Sequence, residues 1–80
     1  MQYNSKKNAA PYIEKLGNGY DGIVRKTVSE ALEKKFGAEK IADVTVGLGD
    51  EMNISVEYSD LDGVSVGDTV DNALTSLLRG

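Results

Sequence analysis

The spacing of apolar residues changes from a helical period to a strand period near the middle of the chain, and this change restricts the fold most. From Tyr20 to Phe36 the apolar residues recur every three or four positions, which is typical of an amphipathic helix. From Val44 to Tyr58 they alternate with polar residues, which is typical of two strands with one buried face each. The sequence therefore predicts a two-layer α+β domain, in which helices pack on one face of an antiparallel hairpin.

Turn residues mark the ends of these central elements. Asp21 is the predicted N-cap of the central helix, and Gly37 follows Phe36, where a helix commonly ends. Both apolar sets of the hairpin fall on one face only if an odd number of residues joins the strands. We therefore predict that residues 48–50, Leu48 to Asp50, form the connection.

A second helical pattern ends the chain. Its apolar residues are Val70, Ala73, Leu74, Leu77 and Leu78. Asp68 and Asp71 stand where a helix N-terminus favours negative charge, and Arg79 stands near the opposite end. We predict a helix that begins at Asp68, after a short extended segment over residues 64–66.

Residues 8–16 allow two interpretations. Asn8 would cap a short helix, with Pro11 in its first turn and Gly17 at its end. Alternatively, residues 12–16 form a short edge strand. We prefer the helix and expect residues 1–7 to be a flexible N-terminal segment. The element order is then ααββα, or βαββα as in a ferredoxin-like variant.

From Asp21 onwards, the order helix–strand–strand–helix resembles the central part of ferredoxin-like domains such as the heavy-metal-associated domains. The resemblance covers about sixty residues and rests on this layout. Those domains place a Cys-x-x-Cys pair before the first helix, where this chain has Gly17–Gly22. The resemblance therefore implies a fold but no metal-binding activity.

The chain contains neither cysteine nor histidine. This excludes the commonest nucleophile–base pairs and the usual transition-metal ligands. No apolar run has the length needed to cross a bilayer. We therefore expect one cytoplasmic domain over residues 1–80, with no catalytic site, no bound metal, no cofactor and no membrane association.

Two short motifs resemble ligand-binding loops, and both are better explained as turns. Gly17–Gly22 matches Gly-x-Gly-x-x-Gly, but a dinucleotide site needs a buried strand before it and a second βαβ half after it. Residues 60–63 begin like a calcium-binding loop, but Tyr58 and Thr69 then occupy two positions that require carboxylate ligands.

The net charge of −4 hides opposite charges in the two halves of the chain. Residues 1–40 carry a net charge of +3 and residues 41–80 carry −7. The acidic side chains of the second half are Asp43, Asp50, Glu51, Glu57, Asp60, Asp62, Asp68 and Asp71. The basic side chains that would contact a nucleic acid are Lys6, Lys7, Lys15, Arg25 and Lys26. Such a division of charge bears on binding partners rather than on the fold.

These charges lead to one functional expectation and two alternatives. We expect a small acidic, non-enzymatic protein-interaction module that docks on a basic partner, such as an inhibitor or regulator of a nucleic-acid-handling protein encoded by a mobile element. The alternatives are a nucleic-acid-binding protein that uses the basic first half, and a structural or assembly subunit. Because a two-stranded sheet is barely stable, we also expect either a third strand from residues 11–16 or 64–66, or a homodimer that shares a sheet or a helix face.

Overall fold

The computed structural model describes residues 1–47 and 49–79. In chain order the elements are β1 (Gln2–Asn8), α1 (Ala10–Leu16), α2 (Tyr20–Phe36), a 3-10 turn (Ala38–Lys40), β2 (Ile41–Gly47), β3 (Glu51–Tyr58) and α3 (Gly63–Arg79). The strands form one antiparallel sheet in the order β1-β3-β2. This confirms the predicted α+β class. The structure combines the two expected orders. It begins with a strand, as in the order βαββα, and it has two helices before the hairpin, as in the order ααββα.

The core lies between the sheet and the helices. Strand β3 contributes Met52, Ile54, Val56 and Tyr58, which alternate with residues on the opposite face. Helix α2 contributes Tyr20, Val24, Val28 and Leu32, and α3 contributes Val66, Val70, Ala73 and Leu74. All of these side chains are buried in one cluster, to which α1 adds Tyr12. No helix in the described part of the chain is long and apolar enough to cross a bilayer.

The hairpin keeps both apolar sets on one face, as predicted, but its register differs from the prediction: Gly47 pairs with Asn53, whereas a connection over residues 48–50 would pair it with Glu51. Val44 faces Val56 and Val46 faces Ile54, so both apolar sets point to the helices. The predicted connection over residues 48–50 includes Leu48, which lies outside the described residues. The pairing shifts by one residue between Ile41 and Asp43, which places a β-bulge near the start of β2.

The third strand comes from a part of the chain for which we expected no regular structure. Residues 2–8 form β1 and pair with β3 along its whole length, so the expectation of a flexible segment over residues 1–7 was wrong. Residues 11–16 and 64–66, the expected sources of this strand, lie in α1 and α3. Since the chain completes a three-stranded sheet by itself, an incomplete sheet is no longer a reason to expect a second copy.

Helix α1 confirms the preferred helical interpretation of residues 8–16, but its N-cap is Ala9 and not the predicted Asn8, which is the last residue of β1. The side-chain oxygen of Asn8 accepts a hydrogen bond of 3.1 Å from the backbone N–H of Ala10. Pro11 lies in the first turn, where a missing N–H costs no helical hydrogen bond. Gly17 ends the helix with a φ of 80°, a conformation that glycine adopts without strain.

Helix α2 has the predicted extent, with a different residue at its start. It begins after Gly19, so Asp21 lies in the first turn instead of at the predicted N-cap position. A carboxylate in this turn still interacts favourably with the helix dipole. Gly37 follows the helix with a φ of 102°, as its position predicts.

Helix α3 begins five residues before the predicted start at Asp68. The backbone carbonyl of Asp62 accepts the N–H of Val66 at 3.1 Å, and its side chain accepts the N–H of Val64 at 3.2 Å. Asp62 is therefore the capping residue, and the expected extended segment over residues 64–66 is helical. Two glycines among the first five residues of α3 lower its helix propensity, which explains why spacing alone placed the start too late.

Candidate functional site

One face of the sheet points away from the helices, and we call it the open face. Its side chains are Gln2, Asn4, Lys6 and Asn8 on β1, Glu51, Asn53, Ser55 and Glu57 on β3, and Asp43 and Thr45 on β2. They are exposed or half-buried, as expected for the wet face of an antiparallel sheet. The open face therefore combines amide and hydroxyl groups with a small number of charges.

Asp43 and Glu57 lie directly opposite each other on the open face. Both side chains are exposed, and each carries a negative charge at neutral pH. Like charges at directly opposed positions of two strands destabilise a sheet. Among the described residues the one ion pair joins Lys7 to Asp71, so no cation of the described chain forms an ion pair with Asp43 or Glu57.

A recess of about 340 Å³ opens beside this pair, at the end of the open face. It is lined by Met1, Gln2, Ala42, Glu57, Tyr58 and Ser59. Backbone hydrogen bonds hold its walls in place, because Tyr58 exchanges two bonds of 2.9 Å with Met1 and Ser59 donates one of 2.9 Å to Lys40. Glu57 therefore lies at the wall of an open recess whose backbone is held by hydrogen bonds.

The other predicted acidic residues lie elsewhere, although all eight are exposed. Glu51 shares the open face with Glu57 but lies six residues away along β3, at a distance of about 20 Å. Asp50 lies in the hairpin connection, and Asp60 and Asp62 lie between β3 and α3. Asp68 and Asp71 belong to the helical layer. The eight predicted acidic residues therefore do not form one face, and among them Asp43 and Glu57 are the pair that lies directly opposite each other on neighbouring strands.

Two of these acidic residues have structural partners. Asp62 caps α3, where it also lies 3.4 Å from the hydroxyl of Ser65. Asp71 forms an ion pair of 3.0 Å with Lys7. In the described ranges, no group of three or more acidic, histidine or cysteine side chains is placed to hold a metal ion.

Two of the predicted basic residues bind the helical layer of their own chain. Lys7 points from β1 towards the helices and bonds to Asp71. Lys15, in the last turn of α1, donates a hydrogen bond of 2.8 Å to the carbonyl of Leu78. Both contacts tie α3 to the first sixteen residues of the chain.

The remaining basic residues lie on other surfaces. Arg25 reaches from α2 to the outer edge of β2, where it donates a hydrogen bond of 3.0 Å to the carbonyl of Val44. Lys6 lies on the open face, and Lys26 is exposed on α2. Since β1 and β2 are opposite edges of the sheet, Lys7 and Arg25 lie on opposite sides of the domain. The structure does not bring the five basic residues together on one surface.

Two pKa shifts occur near the contact between β1 and α3. The hydrogen bond to Asp71 raises the pKa of Lys7 above 10.5, and burial raises the pKa of Tyr12 above 10.0. Both side chains line a cavity of about 150 Å³ together with Asp71, Leu74 and Thr75. Both shifts move the pKa values further from neutral pH, so neither group is tuned to act as a general acid or a general base at neutral pH.

Sequence reasoning missed the residues that β1 contributes to the open face. Gln2 lies opposite Glu57 and lines the recess beside it. Further along β1, Asn4 and Ser55 lie 2.7 Å apart through their side-chain oxygens, in a second recess of about 320 Å³. The strand itself was not predicted, so the sequence offered no signal that Gln2 and Glu57 are neighbours.

The chain shows no significant match to any protein-family model, to any curated protein or to any solved structure. Function is therefore inferred from its residues and their geometry.

Proposed function

We propose that this chain is a small non-enzymatic protein-interaction module, an inhibitor or regulator, that docks through its open face on a basic surface of a nucleic-acid-handling protein. The observation that supports this proposal is the exposed pair Asp43 and Glu57 beside the recess. Two opposed carboxylates reduce the stability of the sheet. A cation from a partner offsets that cost and makes the pair favourable in the complex.

The size of the pair fits one arginine side chain. Directly opposed residues of an antiparallel sheet have Cβ atoms about 4.5–5.5 Å apart. A planar guanidinium carries five N–H donors, so it bonds two carboxylates at this spacing at the same time. The adjoining recess of about 340 Å³ has room for the aliphatic part of the same side chain.

The charge distribution favours a protein partner over a nucleic acid. The second half of the chain carries −7, and this field attracts a basic surface and repels phosphates. The five predicted basic residues lie on different surfaces of the domain, and three of them, Lys7, Lys15 and Arg25, already bind groups of their own chain. A phosphate backbone needs a continuous basic track, which this arrangement does not provide.

The test is a calorimetric titration of the chain with a synthetic arginine-rich peptide at low and at moderate salt. We expect the double variant Asp43→Asn/Glu57→Gln to bind at least about tenfold more weakly, because it loses charge-assisted hydrogen bonds worth roughly 1.5–3 kcal/mol each. The matched control Asp50→Asn/Asp68→Asn changes the net charge equally, at exposed residues outside the pair. It should bind nearly as well as the wild type.

Two outcomes would contradict the proposal. Equal losses in both double variants would mean that the peptide responds to net charge alone. Tighter binding of single-stranded DNA or RNA than of the peptide, with an affinity that falls steeply as salt rises, would favour the nucleic-acid alternative instead.

A further inference from the structure

The hydrogen bonds between β1 and β3 determine which backbone groups of β1 face outwards. Met1 and Tyr58 exchange two backbone bonds of 2.9 Å, so they form a hydrogen-bonded pair of the antiparallel ladder. Such pairs recur at every second residue. The odd-numbered residues of β1 therefore bond to β3, and Gln2, Asn4 and Lys6 direct their N–H and C=O groups away from the sheet.

The two edges of the sheet differ in how they are covered. At the β2 edge, Arg25 bonds to the carbonyl of Val44, and the bulge near Asp43 interrupts the regular edge. At the β1 edge, no group of the described chain bonds to the outward backbone of Gln2, Asn4 or Lys6. A regular strand of seven residues with an uncovered edge is a template for another strand.

Helix α3 presents exposed apolar side chains beside this edge. Asp71 bonds to Lys7 of β1, so the flank of α3 that carries Asp71 faces β1. Val64 and Leu78 lie seven residues before and after Asp71, which places them on the same flank. Val64 is 70% exposed and Leu78 is 37% exposed. The flank of α3 that contacts β1 through Gly67 and Asp71 therefore carries exposed apolar side chains at both of its ends, where Leu78 also adjoins α1 through the hydrogen bond from Lys15 to its carbonyl.

We propose that a second copy of this chain pairs with the β1 edge in antiparallel orientation, about a twofold axis at Ser5. In this register every residue of β1 is paired, and the outward backbone groups of Asn4 meet those of Lys6 of the second copy. No two lysines face each other. An axis at Lys6 would place the two Lys6 side chains in opposition, which is unfavourable.

The α3 flank supplies apolar area that strand pairing alone lacks. Stable interfaces typically bury about 1,200–2,000 Å², and one short strand edge provides little of this area. In the proposed dimer Val64 and Leu78 of both copies approach the junction of the two sheets. Burial of these four side chains adds the apolar contribution that backbone hydrogen bonds do not give.

Sedimentation equilibrium of the full chain tests this dimer. Asn4→Pro removes an N–H group that makes no bond within one chain, and proline is tolerated at such a position of an edge strand. We expect it to weaken dimerisation by at least about tenfold, because two intermolecular hydrogen bonds are lost for each dimer. The control Asn4→Ala removes the same side chain but keeps the N–H, and it should dimerise like the wild type.

Two further measurements do not depend on proline being tolerated. Amide exchange of Asn4 and Lys6 should slow as the protein concentration rises, and Val64→Lys should weaken the dimer while leaving the circular dichroism spectrum unchanged. A wild-type chain that sediments as a monomer at high micromolar concentration would overturn the proposal, as would equal dimerisation of Asn4→Pro and Asn4→Ala. The Asp43→Asn/Glu57→Gln variant should still dimerise, so this test is independent of the proposed acidic docking site.

Discussion

Lys7 near the start of the chain and Asp71 near its end form an ion pair of 3.0 Å that joins the first strand to the last helix. Next to it, the ring of Tyr3 lies over Gly67 of the same helix. Both contacts point from the inner side of β1 to one flank of α3. The inner face of β1 carries no aliphatic residue, and these two contacts hold the strand against the helical layer.

We predict that Asp71→Asn lowers the free energy of unfolding by no more than about 1 kcal/mol. The effect is small because the Lys7 side chain is 35% exposed and that of Asp71 is 53% exposed, so water screens the pair. Denaturant unfolding measures the change. The control Asp68→Asn removes an exposed carboxylate of the same helix with no ion-pair partner in the described chain, and it should leave stability nearly unchanged.

The raised pKa values of Lys7 and Tyr12 give this region a defined pH dependence. Each group has a higher pKa in the folded state than in the unfolded state. The stability that Lys7 and Tyr12 contribute is therefore fully present below their unfolded pKa values of 10.5 and 10.0. It is lost as the pH rises through the folded values. We therefore expect the stability difference between wild type and Asp71→Asn to be constant near neutral pH and to shrink above about pH 10.5. A difference that persists after Lys7 has lost its proton would contradict the ion-pair origin.

Removal of one charge from the acidic pair of the sheet should stabilise the chain. Asp43 lies opposite Glu57, so Asp43→Asn should raise the free energy of unfolding by roughly 0.2–1 kcal/mol, as for the loss of one like-charge pair. The gain should diminish at high salt, which screens exposed charges. The control Glu51→Gln removes a carboxylate that lies opposite Asn8, and it should give no such gain. Equal gains in both variants would point to net charge as the cause.

The capping role of Asp62 predicts a clear difference between two substitutions. Asp62→Ala should lower the free energy of unfolding by roughly 0.5–2 kcal/mol, because the N–H of Val64 loses its acceptor. Asp62→Asn keeps a side-chain oxygen and should lose much less. Thermal unfolding followed by circular dichroism measures both. A helix that began at Asp68, as the apolar spacing predicts, would be insensitive to either change.

The elements with strong apolar periodicity were predicted from the sequence. The spacing of the buried residues of α2 and the alternation along β3 each identified an element and its buried face. Strand β1 was missed because its inward residues are Tyr3, Ser5 and Lys7, which do not alternate in polarity with their neighbours. Its position depends on backbone bonds to β3 and on the contacts with α3, which connect residues far apart in sequence.

The sequence predicted that Asp43 and Glu57 belong to an acidic surface, but it did not predict which residues lie next to them. Asp43 and Glu57 were both expected in an acidic surface, and the hairpin register sets them opposite each other. The recess beside them needs Gln2, which reaches this place only through β1. The sequence also could not show that Asp71 is paired with Lys7 or that Asp62 caps a helix, since both roles depend on elements that were misplaced.

Alanine substitutions at two helical glycines, Gly22 and Gly67, distinguish the effect of helix propensity on stability from the effect of the contact between α3 and β1. An added Cβ at Gly22 of α2 meets no atom within 4 Å, so Gly22→Ala should raise the free energy of unfolding by about 0.5–1 kcal/mol. At Gly67 of α3 the added Cβ would lie 3.1 Å from the ring of Tyr3. Gly67→Ala should therefore gain clearly less than Gly22→Ala, or lose stability, because the ring must move. It should also speed amide exchange along β1, whereas Gly22→Ala should not. Equal gains in the two variants would show that Tyr3 moves aside freely, and that its ring does not hold β1 against α3.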